Sequence, residues 1–218
     1  GVLALERAHA AGGTSALSGG LLYLGGGTPV QKACGFEDSP EEMRKLLRAA
    51  CGPGVDEAKL ALYCEESVAH FHWLEAHGVP FDRSYFPGKA TMQPGRECLI
   101  WSGNEKVWPY RDIAQPAPRG HKVAFDGPDG GGGLLMQTLA HAAEQASIAT
   151  LLDTRVTHLV AADDGRVVGA IWLERLIARR AVALHLQETT EQGALAAARA
   201  PSGPAPQQGG PEIDRGMV

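Results

Sequence analysis

Cysteine is scarce in this chain and unpatterned. The four cysteines are Cys34, Cys51, Cys64 and Cys98; none forms C-x-x-C, and their spacing matches no common zinc arrangement. Free, mostly buried thiols in a reducing compartment are therefore expected, which points to the cytoplasm. An excess of positive charge is also missing. The net charge of -5 argues against a nucleic-acid partner, which needs a basic face. No apolar run is long enough to span a bilayer, and no basic, apolar, small-residue leader opens the chain. None of the glycine runs is followed by G-K-[ST], which counts against a P-loop type of phosphate site. A G-x-G-x-x-G turn behind a first strand is absent as well. Gly1 already enters a strand, so an earlier strand and turn are expected upstream.

What is present is ample for a domain. The 218 residues can form one domain with a sizeable core, or one domain and a tail. The 28 glycines exceed the average and cluster, which suggests backbone conformations that side chains forbid. Val2–Leu5 reads as a short strand. Gly12–Gly27 is glycine-rich, with one helical turn around Ala16-Leu17. Ser39-Pro-Glu-Glu42 has the capping serine, the N1 proline and the early acids of a helix start. That helix runs to about Ala50. The spacing of Leu60, Tyr63, Cys64, Val68, Phe71 and Leu74 predicts one longer helix from Asp56 to Ala76 with those residues as its buried stripe, closed by His77-Gly78. Glu66 and His70 share a face of it but His72 does not, so its histidines do not make a metal set.

Arg83 to His121 is rich in proline, glycine and scattered aromatics, without periodicity, and reads as a functional loop. Tyr85, Phe86, Trp101, Trp108 and Tyr110 suit loop anchors better than a cofactor box. Gly127–Gly133 opens a helix over Leu134–Gln145. Then come the strand-like Ala149–Asp153 and a hairpin, Arg155–Val160 and Val167–Trp172, around Asp163-Asp-Gly-Arg166. A third strand near Leu176–Leu184 would complete a meander, with Arg179-Arg180 at an exposed end. From His185 onward, patterning fades into low-complexity sequence, read as largely disordered.

The opening carries the chemistry. Val2-Leu-Ala-Leu-Glu-Arg7 is an apolar strand ending in an acid, and Gly12-Gly-Thr-Ser-Ala-Leu-Ser-Gly-Gly20 follows. An acid at a strand's end accepts hydrogen bonds from ribose hydroxyls. Glycines then let backbone N–H groups approach phosphates. That order suits a dinucleotide cofactor. On the residues alone, Glu6 also reads as a surface acid, and Gly12–Gly20 as a flexible turn.

In order along the chain, these pieces resemble the flavoprotein subunit family of fumarate reductase and succinate dehydrogenase, with the 3-ketosteroid Δ1-dehydrogenases. Leu5-Glu6-Arg7 is similar to that family's second Rossmann strand, and Gly12–Gly20 to its flavin-contacting segment. Arg119 and Gly120-His-Lys, with the glycine run and Leu134-Leu-Met-Gln-Thr-Leu, resemble its R-x-H…G-G-x-x-L-x-x-x-L stretch. Asp153-Thr-Arg-Val-Thr-His-Leu-Val and Gly165-Arg-Val-Val-Gly169 resemble its adenine-side strand and hairpin. Trp101-Ser-Gly-Asn-Glu-Lys-Val-Trp108 fits the branch of FAD-binding dehydrogenases. Two parts of the pattern are absent: the first strand with its G-x-G-x-x-G turn, and the A-T-G-G turn, where this chain has His185-Leu-Gln-Glu-Thr.

The resemblance implies an α/β fold: a partial Rossmann-like FAD-binding domain over 1–184 with an added antiparallel β-meander; the C-terminal tail over 185–218 is expected to be disordered from its composition. It implies FAD as cofactor, held by Glu6, Arg7, Gly12, Gly13, Thr14, Ser15, Ala16, Ser18, Gly19, Gly20 and the backbone N–H of Val156. Glu6 would take the ribose and Val156 the adenine edge. Gly12 to Ser15 would line the pyrophosphate, and Ser18 to Gly20 would approach the isoalloxazine. By loop position, Arg119 and His121 would lie near the flavin or substrate, or else be exposed loop charges. The implied activity is a dehydrogenase or reductase acting on a C–C bond next to a carbonyl of a small-molecule substrate. The acid/base for the second hydrogen is not assigned to any residue. The chain is expected to be a truncated flavin domain, prone to self-association through uncovered sheet edges. The alternative is a non-catalytic remnant or interaction protein that binds no flavin.

Overall fold

A computed structural model of the chain describes residues 1–88, 90–174 and 181–185. They divide into two compact units, Gly1–Leu152 and the part from Asp153 onward. Arg179-Arg180 and the low-complexity stretch 186–218 lie outside the described residues.

The first unit opens with β1 (Leu3–Leu5) and the single-turn helix α1 (Gly13–Ala16). Next come β2 (Leu21–Tyr23) and α2 (Pro29–Ala33). Neither β2 nor α2 is expected from sequence, and β2 lies inside the glycine-rich segment. A local signal for α2 exists: Thr28-Pro-Val-Gln31 is a capping box, and the Thr28 hydroxyl accepts the Gln31 N–H while Gln31 reaches back to the Thr28 N–H. Helix α3 (Pro40–Cys51) starts where its serine cap and N1 proline predict, with the Ser39 hydroxyl accepting the Glu42 N–H at 3.2 Å.

The expected helix over 56–76 is two: α4 (Glu57–Glu65), capped by Asp56, and α5 (Ser67–Ala76). Their junction is Glu66, whose ψ of -2° departs from helical geometry. The turn brings Ser67 into the core, where its hydroxyl accepts the Gly25 N–H at 2.9 Å. The buried stripe is therefore Leu60, Cys64, Ser67, Phe71 and Leu74. Val68 is only half-buried, and Tyr63 is exposed, its hydroxyl donating to the Tyr23 carbonyl.

Within the region read as one long loop lie β3 (Leu99–Ile100), a 3-10 turn at Asn104–Lys106, the short α6 (Tyr110–Ile113) and β4 (Gly120–Lys122). β4 is the centre of an antiparallel sheet ordered β2-β4-β3, pairing Tyr23 with Gly120 and Leu99 with His121. This sheet has no signal in the sequence because its strands are two or three residues long, below the length at which alternation registers. Its centre packs on α5, with Leu24, Val30, Phe71, Leu74, Leu99 and Val123 forming the core. Tyr85 and Trp101 anchor the preceding loop as expected. The Trp101 indole donates to the Tyr85 hydroxyl at 2.8 Å, and the Phe36 ring meets both edge-on. Trp108, in contrast, is 72% exposed.

Helix α7 (Gly131–Gln145) follows, then β5 (Ala149–Leu151), which pairs parallel with β1 in the register Leu3 to Ala149 and Leu5 to Leu151. A parallel pair needs a crossover, and the chain from β1 to β5 supplies it, ending in α7.

The second unit is the expected antiparallel meander: β6 (Thr154–Ala161), β7 (Val167–Glu174) and β8 (Ala181–His185), in that order. The turn at Asp163-Asp-Gly165 joins the first two, Gly165 taking φ 81°. The meander's third strand ends at His185, one residue into the segment read as tail.

All four cysteines are free, two of them buried, and Cys51 is exposed. Burial pushes the Cys98 thiol up to about 11. No helix among the described residues is long and apolar enough to cross a membrane.

Candidate cofactor site

Glu6 ends β1. Its backbone N–H continues the parallel ladder to the Leu151 carbonyl at 2.8 Å. Its side chain turns back, Oε1 accepting the Ala8 N–H at 2.7 Å. That bond fixes the carboxylate at the strand's end and leaves Oε2 without a partner among the described residues. Arg7 is exposed beside it.

The glycine-rich segment then forms α1. Its N-cap is Gly12, at φ 118°, so no side chain caps the helix. The N–H groups of Gly13, Thr14 and Ser15 occupy the first turn, where helix geometry supplies no acceptor. Thr14 and Ser15 are exposed. A Cβ built on Gly13 would meet nothing within 4 Å, so the turn faces open space. Ala16 packs inward, where a Cβ on Gly12 would come within 2.7 Å of its own. An uncapped first turn with a clear approach, one short loop after a strand-end carboxylate, fits a phosphate-bearing cofactor.

The other end of the segment is committed to the fold. The Ser18 hydroxyl donates to the Ser15 carbonyl at 2.8 Å and accepts the Gly20 N–H at 3.2 Å. The Ser18 carbonyl accepts the Gly132 N–H at 2.9 Å, joining this segment to the first turn of α7. A Cβ on Gly132 would lie 2.1 Å from the Ser15 carbonyl oxygen, and one on Gly20 would lie 2.5 Å from the Gly131 carbonyl carbon. The glycines at 20 and 132 thus permit backbone-on-backbone packing between α1 and α7. From sequence, Gly20 is expected beside the flavin ring and Gly132 only in a helix start.

Val156 lies elsewhere, on β6 of the antiparallel sheet in the second unit, not on the parallel pair that carries Glu6. It pairs with Trp172, and the register shifts just after it. β6 is the outer strand of its sheet and presents one unpaired edge among the described residues.

Arg119 and His121 are not exposed loop charges: both are fully buried. The Asp38 carboxylate receives Arg119 Nη2 at 2.6 Å and Nε at 2.9 Å. It also accepts the Gly26 N–H and the Gln31 side-chain amide. His121 Nδ1 faces the Arg119 carbonyl at 3.0 Å. A carbonyl only accepts, so Nδ1 carries the hydrogen, and Nε2 accepts the Thr28 hydroxyl at 2.8 Å. Burial pushes the imidazole down to about 4. The glycine run Gly25-Gly-Gly27 is consumed by the same network. Its N–H groups go to Ser67, Asp38 and Gln31 and cradle no phosphate. Nothing in the local sequence marks Asp38 or Ser67 as members, since Asp38 comes from the loop before α3 and Ser67 from the start of α5.

The FAD binding domain family model matches residues 1–211. The 3-oxo-5-alpha-steroid 4-dehydrogenase of Comamonas testosteroni is 36% identical over 176 residues, 77% of this chain and 32% of that protein. Among solved structures, 3-ketosteroid-Δ4-(5α)-dehydrogenase from Rhodococcus jostii RHA1, in complex with 4-androstene-3,17-dione, superposes with a TM-score of 0.79 at 46% identity. It covers 84% of this chain and 38% of that one. A flavocytochrome c3 fumarate reductase in its open conformation gives 0.61 at 25% identity, with 83% of this chain and 27% of that one covered. The chain belongs to the FAD binding domain family, whose cofactor is FAD. It spans about a third of the length of the curated steroid dehydrogenases it matches.

Proposed function

We propose that this chain is the cofactor-holding part of an FAD-dependent oxidoreductase that adds or removes hydrogen across a C–C bond next to a carbonyl. The observation that carries the reading is the Glu6 carboxylate held at the end of β1 with Oε2 left open, followed by the exposed glycine-rich segment, in a chain that matches the FAD binding domain over residues 1–211. Glu6 Oε2 would accept from the adenosine ribose, with Arg7 beside it. The N–H groups of Gly12, Gly13, Thr14 and Ser15 would face the pyrophosphate, with Ala16 buttressing the turn. Ser18, Gly19 and Gly20 would border the ring, set there by α7.

Bound FAD supplies the redox chemistry, taking or giving a hydride. The similarity to two enzymes named for 3-ketosteroids favours a small-molecule substrate with an apolar ring framework and a ketone. A cytoplasmic site of action goes with the free thiols. Self-association goes with β1, whose second edge carries no strand among the described residues.

Titration of the purified chain with FAD, followed by flavin fluorescence and absorption, tests the reading. Saturable binding is expected, weakened about tenfold by Glu6→Ala, the loss of one charge-assisted hydrogen bond. A chain that stays colourless in excess FAD and leaves its fluorescence unchanged is the non-catalytic remnant instead.

A further inference from the structure

Lys122 closes β4, and it is fully buried. Its ammonium meets four main-chain carbonyls: Gln93 at 2.8 Å, Gly95 at 2.6 Å, Phe125 at 2.9 Å and Gly127 at 2.6 Å. No carboxylate among the described residues lies within ion-pair distance of it. An ammonium has three N–H donors, so four acceptors share three protons. The group sits in a cage of carbonyl dipoles as a tethered monovalent cation would. A buried charge persists only where such groups replace its water.

The four carbonyls belong to two loops, 93–95 and 125–127, and Lys122 fastens one to the other. The Gly127 N–H adds a direct bond to the Pro94 carbonyl at 2.8 Å. Both loops lean on the segment that closes α1. A Cβ on Gly19 would meet Met92 Cε at 2.5 Å and the Pro128 carbonyl oxygen at 2.7 Å. The Gly20 carbonyl accepts the Val123 N–H at 3.0 Å, one residue beyond Lys122. The second loop then runs into the glycine turn of α7 that packs on Ser18 and Gly20.

We propose that Lys122 is a positioning residue for the cofactor: its ammonium clamps the two loops that set Ser18–Gly20. The inference rests on the proposed FAD site. It also explains the residue type. A compact ammonium satisfies carbonyls converging from several directions, which a planar guanidinium fork does not, and methionine offers no donor at all.

The test is Lys122→Ala in the full chain, with and without propylammonium, and with tetramethylammonium as a cation that has no N–H. Two quantities are read: amide exchange at Gly127 and Gly132 without FAD, and the dissociation constant for FAD. Exchange at both amides at least tenfold faster and FAD binding at least tenfold weaker are expected, both restored by propylammonium and neither by tetramethylammonium. Unchanged exchange and affinity, or loosening that tetramethylammonium reverses equally well, overturns the proposal. Should Lys122→Ala not fold, Lys122→Arg takes its place: a folded variant with weaker FAD binding supports the clamp, and wild-type affinity overturns it. If the wild-type chain takes up no FAD while exchange responds as expected, the clamp stands and the cofactor reading falls. If both proteins bind FAD equally, the reverse holds.

Discussion

Arg119 and Asp38 form a two-bond ion pair in which neither side chain has any exposed surface, Nη2 to Oδ1 at 2.6 Å and Nε to Oδ2 at 2.9 Å. The pair joins the start of the central strand β4 to the loop before α3, and through Gly26 and Gln31 it fixes the loop after β2.

Removing one partner of a buried pair leaves the other uncompensated. Asp38→Ala is expected to destabilise the first unit by about 3–5 kcal/mol, measured by urea denaturation. Asp38→Asn loses less, because the amide oxygen still accepts the Gly26 N–H. A midpoint for Asp38→Ala within error of the wild type contradicts the geometry.

His121 gives the fold an acid-side limit. Burial holds its folded pKa near 4, against the usual 6.5, over the opposing pull of the Arg119 carbonyl and Asp38. The unfolded state therefore binds more protons between these values. Stability is full above about pH 6.5 and falls as pH drops toward 4, by roughly 3 kcal/mol at most from this group. Denaturation curves at pH 7 and pH 4.5 should show the loss. His121→Gln should flatten that part of the profile, at the cost of lower stability at pH 7.

The glycines that open α7 separate by role. Gly132→Ala places a methyl 2.1 Å from the Ser15 carbonyl oxygen, so α1 must shift. A loss of about 2–3 kcal/mol and weaker FAD binding are expected. Gly133→Ala meets its nearest atom at 3.5 Å, ordinary contact, and should stabilise the helix by roughly 0.5–1 kcal/mol. Thermal melts of the two variants check the contrast.

Gln93 is fully buried, and neither its side-chain oxygen nor its nitrogen has a partner. Gln93→Met keeps the shape and removes both orphaned groups, so its stability should match or exceed that of the wild type. A loss above 1 kcal/mol would show that the carboxamide holds a bonded water.

A parallel strand with an unpaired edge invites another strand, and among the described residues β1 has one. Sedimentation of the isolated chain should show concentration-dependent association, reduced by a lysine at exposed Ala4. A monomer at all concentrations with a sharp, high-temperature melt removes this expectation.

Elements that carry their own chemistry were legible. Ser39-Pro40 started α3, Asp163-Asp-Gly165 turned the hairpin, and the acid-ended strand with its glycine segment led to the right family. The sheet β2-β4-β3 was not legible, because strands of two or three residues leave no alternation. The break at Glu66 was hidden under an apolar spacing that runs through both helices. Arg119 and His121 read as loop residues, near the cofactor or exposed, because their loop gives no hint of a strand. Their partners Asp38 and Thr28 lie roughly 80–90 residues away, in the helical region.

Local sequence thus determined which backbone segments cap, turn and alternate. These are short-range properties, set by hydrogen bonds and sterics within a few residues. Tertiary structure alone decided what the other glycines and buried charges are for. Backbones close at Gly20 and Gly132, a carboxylate finds a guanidinium, and four carbonyls converge on one ammonium only after distant segments pack. No neighbouring residue encodes those contacts.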